Sequence, residues 1–292
     1  MKNKLLILTL ILTFRSVGVF SQILNLPERE ADAPKGSEFA HFFWTSTLFE
    51  RESAIYSEVL NGNIPVFQRK LVPIFIRKTI NETDFEVMYY ALPDYLAIGS
   101  DFDYFLVPMT PILAQRISGV LECTLPTRKM VDQIWSAAPL KLAPSPIPPS
   151  AEMTSIPVMW QHNQTVSSQR KSQVESHPLG TLVAGNKKDV IISNAIYGNP
   201  SPGRVVIYGW HHQDGSPIQP LYSGHAETYA DYSHGVRLVQ DRVFINGEPA
   251  SIKQILQNES LHILFSDEGV IQTTFYPLTE TIPASTSKSN ND

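Results

Sequence analysis

Pro139-Leu-Lys-Leu-Ala-Pro-Ser-Pro-Ile-Pro-Pro-Ser-Ala-Glu-Met-Thr-Ser-Ile-Pro157 holds six prolines in nineteen residues. Proline at this density forces extended chain with few backbone hydrogen bonds. It also divides two kinds of pattern. Ahead of it, Thr47 and Glu50 form a possible capping box, and Leu48, Ile55 and Val59 recur at helical spacing up to Asn61-Gly62. Thr110-Pro111 opens a second helix carrying Leu113, Ile117 and Val120, and Thr127 caps a third with Met130, Val131, Ile134 and Trp135. Two β-rich runs, 71–77 and 85–91, flank a turn at 81–84 and read as a hairpin, with a short strand at 104–109. Behind the proline segment, strand signals follow at 181–184, 189–193, 204–208, 235–239, 242–245 and 270–276, with a tight turn at Asn246-Gly247. Helices mainly in the N-terminal half and an antiparallel or mixed sheet mainly in the C-terminal half define an α+β fold. We expect one domain over 22–278, with 139–157 as an internal segment and 279–292 as a frayed polar tail.

The ends and the charge narrow the setting. Lys2 and Lys4 precede an apolar run from Leu5 to Phe14, and Ser16, Gly18 and Ser21 supply small residues behind it. This is the order of a secretory signal, expected over 1–21. The run is about half the roughly 20 residues a membrane-spanning helix needs, so no stable membrane anchor is expected. Removing Lys2, Lys4 and Arg15 from the 23 basic residues leaves 20 against 28 acidic, a formal charge of −8. Nucleic acid is bound by basic stripes, and none is visible, so it is not an expected partner. The chain has one cysteine, Cys123, and therefore no internal disulfide. Asn81, Asn163 and Asn258 head glycosylation sequons that matter only in a eukaryotic host.

Six of the eight histidines lie between His162 and His234. The densest part runs through Gly209-Trp-His-His-Gln-Asp-Gly215, Ser223-Gly-His225 and Asp231-Tyr-Ser-His-Gly-Val-Arg237. Each of these histidines sits beside a glycine or a strand end, where scaffolds present reactive groups. Imidazole passes protons near neutral pH and also binds metals. The expected site combines His234 as general base or acid, Asp231 as its orienting partner, and His211 and His225 as stabilisers or ligands. Arg237, Lys187, Lys188 and Trp210 are the candidate substrate contacts. No cofactor is required. Zinc is the one the ligand count admits, although no short motif such as H-E-x-x-H is present.

Cys123 precedes the helix capped by Thr127, and a thiolate near a helix N-terminus is stabilised. A cysteine on an early helix followed by a histidine on a later sheet resembles the layout of papain-like peptidases, including cell-wall amidases. The competing expectation makes Cys123 a small apolar plug between helices. Separately, Ser233-His-Gly-Val-Arg-Leu238 resembles the S-H-G-C stretch of the L,D-transpeptidases. Val236 stands where that family has its catalytic cysteine, so its thiol chemistry is not implied here. Two further clusters stand out. Ala184-Gly-Asn-Lys-Lys-Asp189 reads as a polar turn. The carboxylates of Ser100-Asp-Phe-Asp103 would cap structure or, alternatively, serve as acid and base or hold calcium.

The functional expectation is a secreted or periplasmic hydrolase acting on a cell-envelope or extracellular polymer. The alternative is a non-catalytic glycan- or peptide-binding module, for which Trp44, Trp160, Trp210 and the tyrosines would provide stacking platforms.

Overall fold

The computed structural model describes residues 22–198 and 203–278. The expected signal sequence and polar tail lie outside the described residues. Six of the seven described helices end by Lys171, while most strands follow Val183, so the fold is α+β.

Local signals account for the first half. Thr47 and Glu50 close a reciprocal capping box on helix Leu48–Leu60. Thr110 caps Pro111–Val120 and Thr127 caps Arg128–Ala137, each accepting a backbone N–H in the first turn. Each such cap stabilises a helix by about 1 kcal/mol. The hairpin is longer than the sequence suggests: Val72–Ile80 pairs with Thr83–Ala91 in unbroken antiparallel register. Asn81 and Glu82 turn it with φ of 48° and 63°, the left-handed pair that a two-residue hairpin turn requires.

Two sheets matter for function. The larger runs in the order Glu248–Ser251, Arg242–Ile245, Thr83–Ala91, Val239–Gln240, Cys123–Thr124, with Val72–Ile80 on the other side of Thr83–Ala91. The smaller is mixed: Pro217–Ala226, Arg204–His211 and Lys188–Val190 are antiparallel neighbours, and His234–Gly235 lies parallel to Lys188–Val190. One apolar core, reaching from Leu24 to Tyr276, contacts both sheets and the helices between them.

Three departures have physical causes. Residues 270–276 form no strand. Tyr276 instead enters the core, where its backbone N–H meets Gln115 Oε1 at 3.0 Å and its hydroxyl donates to Ile191 O at 2.7 Å. Ile156–Lys171 is a 16-residue helix that starts inside the proline segment, with Pro157 in its first turn. The proline segment is strapped to the body: Tyr232 Oη accepts from Ile147 N at 2.8 Å, and Tyr232 N donates to Met153 O at 3.0 Å.

Candidate functional site

The smaller sheet carries the histidine-rich stretch, and its register decides which side chains meet. Lys188 sits opposite both His234 and Gly209, whereas Asp189 sits opposite Gly235 and Tyr208. Cross-strand partners share a face, so Lys188 and His234 lie on one side and Asp189 and Tyr208 on the other. Simple alternation would put Trp210 with Tyr208 and His211 with Lys188. The reverse occurs. Gly209 and Trp210 have φ of 102° and 56°, consecutive left-handed residues that break the alternation. The Trp210 ring turns to Lys188, whose Nζ is 5.4 Å from its centroid, and to His162 at 5.9 Å. His211 joins Tyr208 and Asp132 instead. A left-handed tryptophan costs about 1–2 kcal/mol, strain of the kind that persists where function requires it.

On the first face, His234 is fully buried and neither ring nitrogen has a partner among the described residues. Asp231 Oδ1 lies 3.9 Å from His234 Nε2. That carboxylate is held in place by Ser233 N at 2.8 Å, Ser233 Oγ at 2.5 Å and the Tyr229 hydroxyl at 3.2 Å. Burial works against the charge on Asp231. His234, the Ser233 hydroxyl and Lys188 outweigh it and hold the acid below its ordinary range. Burial drives His234 down to about 4 against the pull of Asp231, so its imidazole is neutral at pH 7. The half-buried His225 stacks on Tyr229 at 4.0 Å, and Tyr229 meets the His234 ring edge-on at 5.7 Å. From solvent inward the order is His225, Tyr229, His234, with Lys188 alongside.

Behind this wall sit His162, buried with both ring nitrogens unpartnered, and Trp210, whose Nε1 is likewise unpartnered. An unsatisfied buried polar atom costs about 1–3 kcal/mol, so several in one place call for an explanation other than stability. Lys187 is also buried, donating to Tyr232 O at 2.7 Å, and burial brings its ammonium down to about 7.

The structure therefore gathers His225, Asp231, His234, Lys188 and Trp210, and separates the other candidates. His211 is buried on the far face, its Nε2 3.0 Å from Asp132 Oδ1. Arg237 is no substrate anchor: its guanidinium donates to Leu92 O and Val183 O at 2.8 Å each and lies 4.3 Å over the Tyr95 ring. Lys187 is withdrawn from solvent by its backbone contact. Cys123 stands in a strand of the larger sheet, its thiol donating to Leu121 O at 3.2 Å. Burial pushes that thiol up to about 12, the opposite of what a nucleophile needs, so Cys123 is the apolar plug. Tyr229 and His162 were not singled out from sequence. Both touch the rings already named, and only the fold brings them in. Among the described residues no group of three or more His, Cys, Asp or Glu side chains is placed to hold a metal ion, because His211 has left the set.

A pH dependence follows. The folded chain resists protonating His234 until about pH 4 and His162 until about pH 2, whereas the unfolded chain takes up both protons near 6.5. Their stabilisation is present above pH 6.5 and is lost as pH falls. Asp189, raised by burial to about 6, acts with the opposite sign between pH 6 and its unfolded value. The buried Glu52 and Asp94, whose carboxyls burial also raises, act in the same sense as Asp189. His162→Phe is expected to remove about 3 kcal/mol of the stability lost in urea between pH 6.5 and 4; an unchanged pH dependence would show that His162 is not buried neutral.

No protein-family model, curated protein or solved structure matches the chain. The class defined by fold and geometry is thus an α+β protein with a buried neutral imidazole at a strand end of its smaller sheet.

Proposed function

We propose that the protein is an exported hydrolase that acts on a cell-envelope or extracellular polymer through the His234 site. The observation that carries this reading is the state of His234: an uncharged imidazole, with both nitrogens free, held beside a fixed carboxylate and an ammonium group. Such a ring is unprotonated at neutral pH and so available to accept a proton from water, with a basicity that burial has lowered. Lys188, half-buried on the same face as His234, is the group to stabilise negative charge developing on the scissile bond. Asp231 orients the site, and His225 and Tyr229 cover it on the solvent side. Ser233 Oγ is committed to Asp231, and Cys123 lies in another sheet, so water is the nucleophile. Export rests on the lysine, apolar-run, small-residue order of residues 1–21.

The test is incubation of the protein with isolated peptidoglycan, a soluble polysaccharide and an unfolded protein. Release of fragments from one of them, dependent on His234, supports the reading. Saturable binding with no product would replace it with a non-catalytic binding module.

A further inference from the structure

The turn Ser100–Asp103 does something its two carboxylates do not explain by themselves. It is tied on both sides: Asp103 accepts from Ser37 N at 2.9 Å and Ser37 Oγ at 2.5 Å, while Asp101 accepts from Phe67 N at 3.2 Å. Ser100 and Asp103 exchange backbone hydrogen bonds at 3.0 and 3.2 Å. Both acids therefore serve as tethers. At the apex of this fixed turn Phe102 is 92 % exposed. A large aromatic held in water on a rigid support forgoes the burial that normally stabilises it.

Phe102 stands on the rim of a cleft of about 590 Å³, a volume within the range of small-ligand sites. The opposite wall is helix Ile156–Lys171. Gln164, Ser167, Ser168 and Lys171 recur on it at i, i+3, i+4 and i+7 and line the cleft, with half-buried Trp160 one turn earlier. This stripe extends about 10 Å along the axis at 1.5 Å per residue. The side chains of Gln164, Ser167 and Lys171 have no partner among the described residues, so an amide, a hydroxyl and an ammonium face the cleft uncommitted.

We propose that this cleft is a binding site for a neutral oligosaccharide chain. An aromatic platform suits the C–H face of a sugar ring, and a row of amide and hydroxyl groups suits its hydroxyls. An extended peptide is disfavoured: it seeks free backbone donors and acceptors, and a helix wall has already spent its own. The proposal does not depend on the chemistry at His234, although a polymer-active protein would gain a second hold on its substrate.

The experiment is calorimetric titration of the whole protein with chitotetraose and with cellotetraose, followed by tryptophan fluorescence. At least one sugar is expected to bind saturably. Phe102→Ala, which removes an exposed ring and leaves the core intact, is expected to weaken binding at least tenfold. Gln164→Ala is expected to weaken it several-fold, and His234→Ala to leave it unchanged. Failure of both sugars to saturate at millimolar concentration, wild-type affinity in Phe102→Ala, or binding of an uncharged peptide in their place would overturn the proposal. Because the readout is binding, loss of hydrolysis and loss of this site are told apart.

Discussion

Arg237→Ala is expected to cost about 3–5 kcal/mol of folding stability, the range for removing one partner of a buried charge pair. Arg237 is almost wholly buried, and its two bonds to Leu92 O and Val183 O join the end of strand Thr83–Ala91 to strand Val183–Ala184 in the other half of the chain. Its Nε lies 3.9 Å from Asp189 Oδ1, an oxygen with no hydrogen-bond partner among the described residues. The other oxygen, Oδ2, accepts from the Tyr95 hydroxyl at 2.7 Å. Removing the guanidinium takes the Arg237 N–H groups from the Leu92 and Val183 carbonyls and leaves the buried Asp189 carboxylate without its cation. Arg237→Lys is expected to rescue little, because an ammonium on a flexible stem cannot reproduce the planar fork. Adding Asp189→Asn to Arg237→Ala is expected to restore roughly 1–2 kcal/mol by deleting the stranded charge. Urea midpoints check all three. An Arg237→Ala protein within about 1 kcal/mol of wild type would return Arg237 to the role of substrate anchor.

The second large effect concerns rate. His234→Ala is expected to lower cleavage at pH 7 by about 10³-fold, within the usual range for a general base. Lys188→Ala is expected to cost about 10²-fold, the scale of a single charge-stabilising group. The two effects should combine less than additively, since both groups act on one developing transition state. His211→Ala serves as the contrast. It breaks the contact with Asp132 on the far face, so it should lower stability and leave the rate per folded molecule unchanged.

Several elements were legible because their signals are local. Thr47 with Glu50, Thr110 with Pro111, and Asn246 with Gly247 each state a cap or turn within four residues. Helix Ile156–Lys171 gave no such signal. Its inward face carries His162, Asn163 and Arg170, so no apolar stripe repeats. Two of those polar groups are used: Asn163 pairs with Leu106 N and Tyr104 O, and Arg170 with His177 O and Pro178 O. Only the fold supplies these partners. Strand Pro217–Ala226 was hidden by Pro217 and Pro220, which an edge strand tolerates because its outer side needs no donors.

The site was half legible for a related reason. Histidine density pointed to a stretch in which Asp231, His234 and His225 do meet. Density along a chain says nothing about faces. The left-handed Gly209-Trp210 pair moves His211 across the sheet, and a tryptophan in that conformation is not foreseeable from its neighbours. Cys123 admitted two readings, and the structure bears out the apolar plug. Its position before a capped helix suggested a thiolate, and the strand that places it in the core became visible only with its partner Gln240.

The most direct measurement of the central claim is the cleavage rate of wild type and His234→Ala across pH 4–8, on the polymer that yields fragments. A depressed His234 predicts a wild-type rate that holds from pH 8 through the ordinary histidine range and falls only on approaching about 4. His234→Ala should run about 10³-fold lower, without that acid limb. A variant that keeps the wild-type rate and the same pH profile would contradict the account and remove His234 from the chemistry.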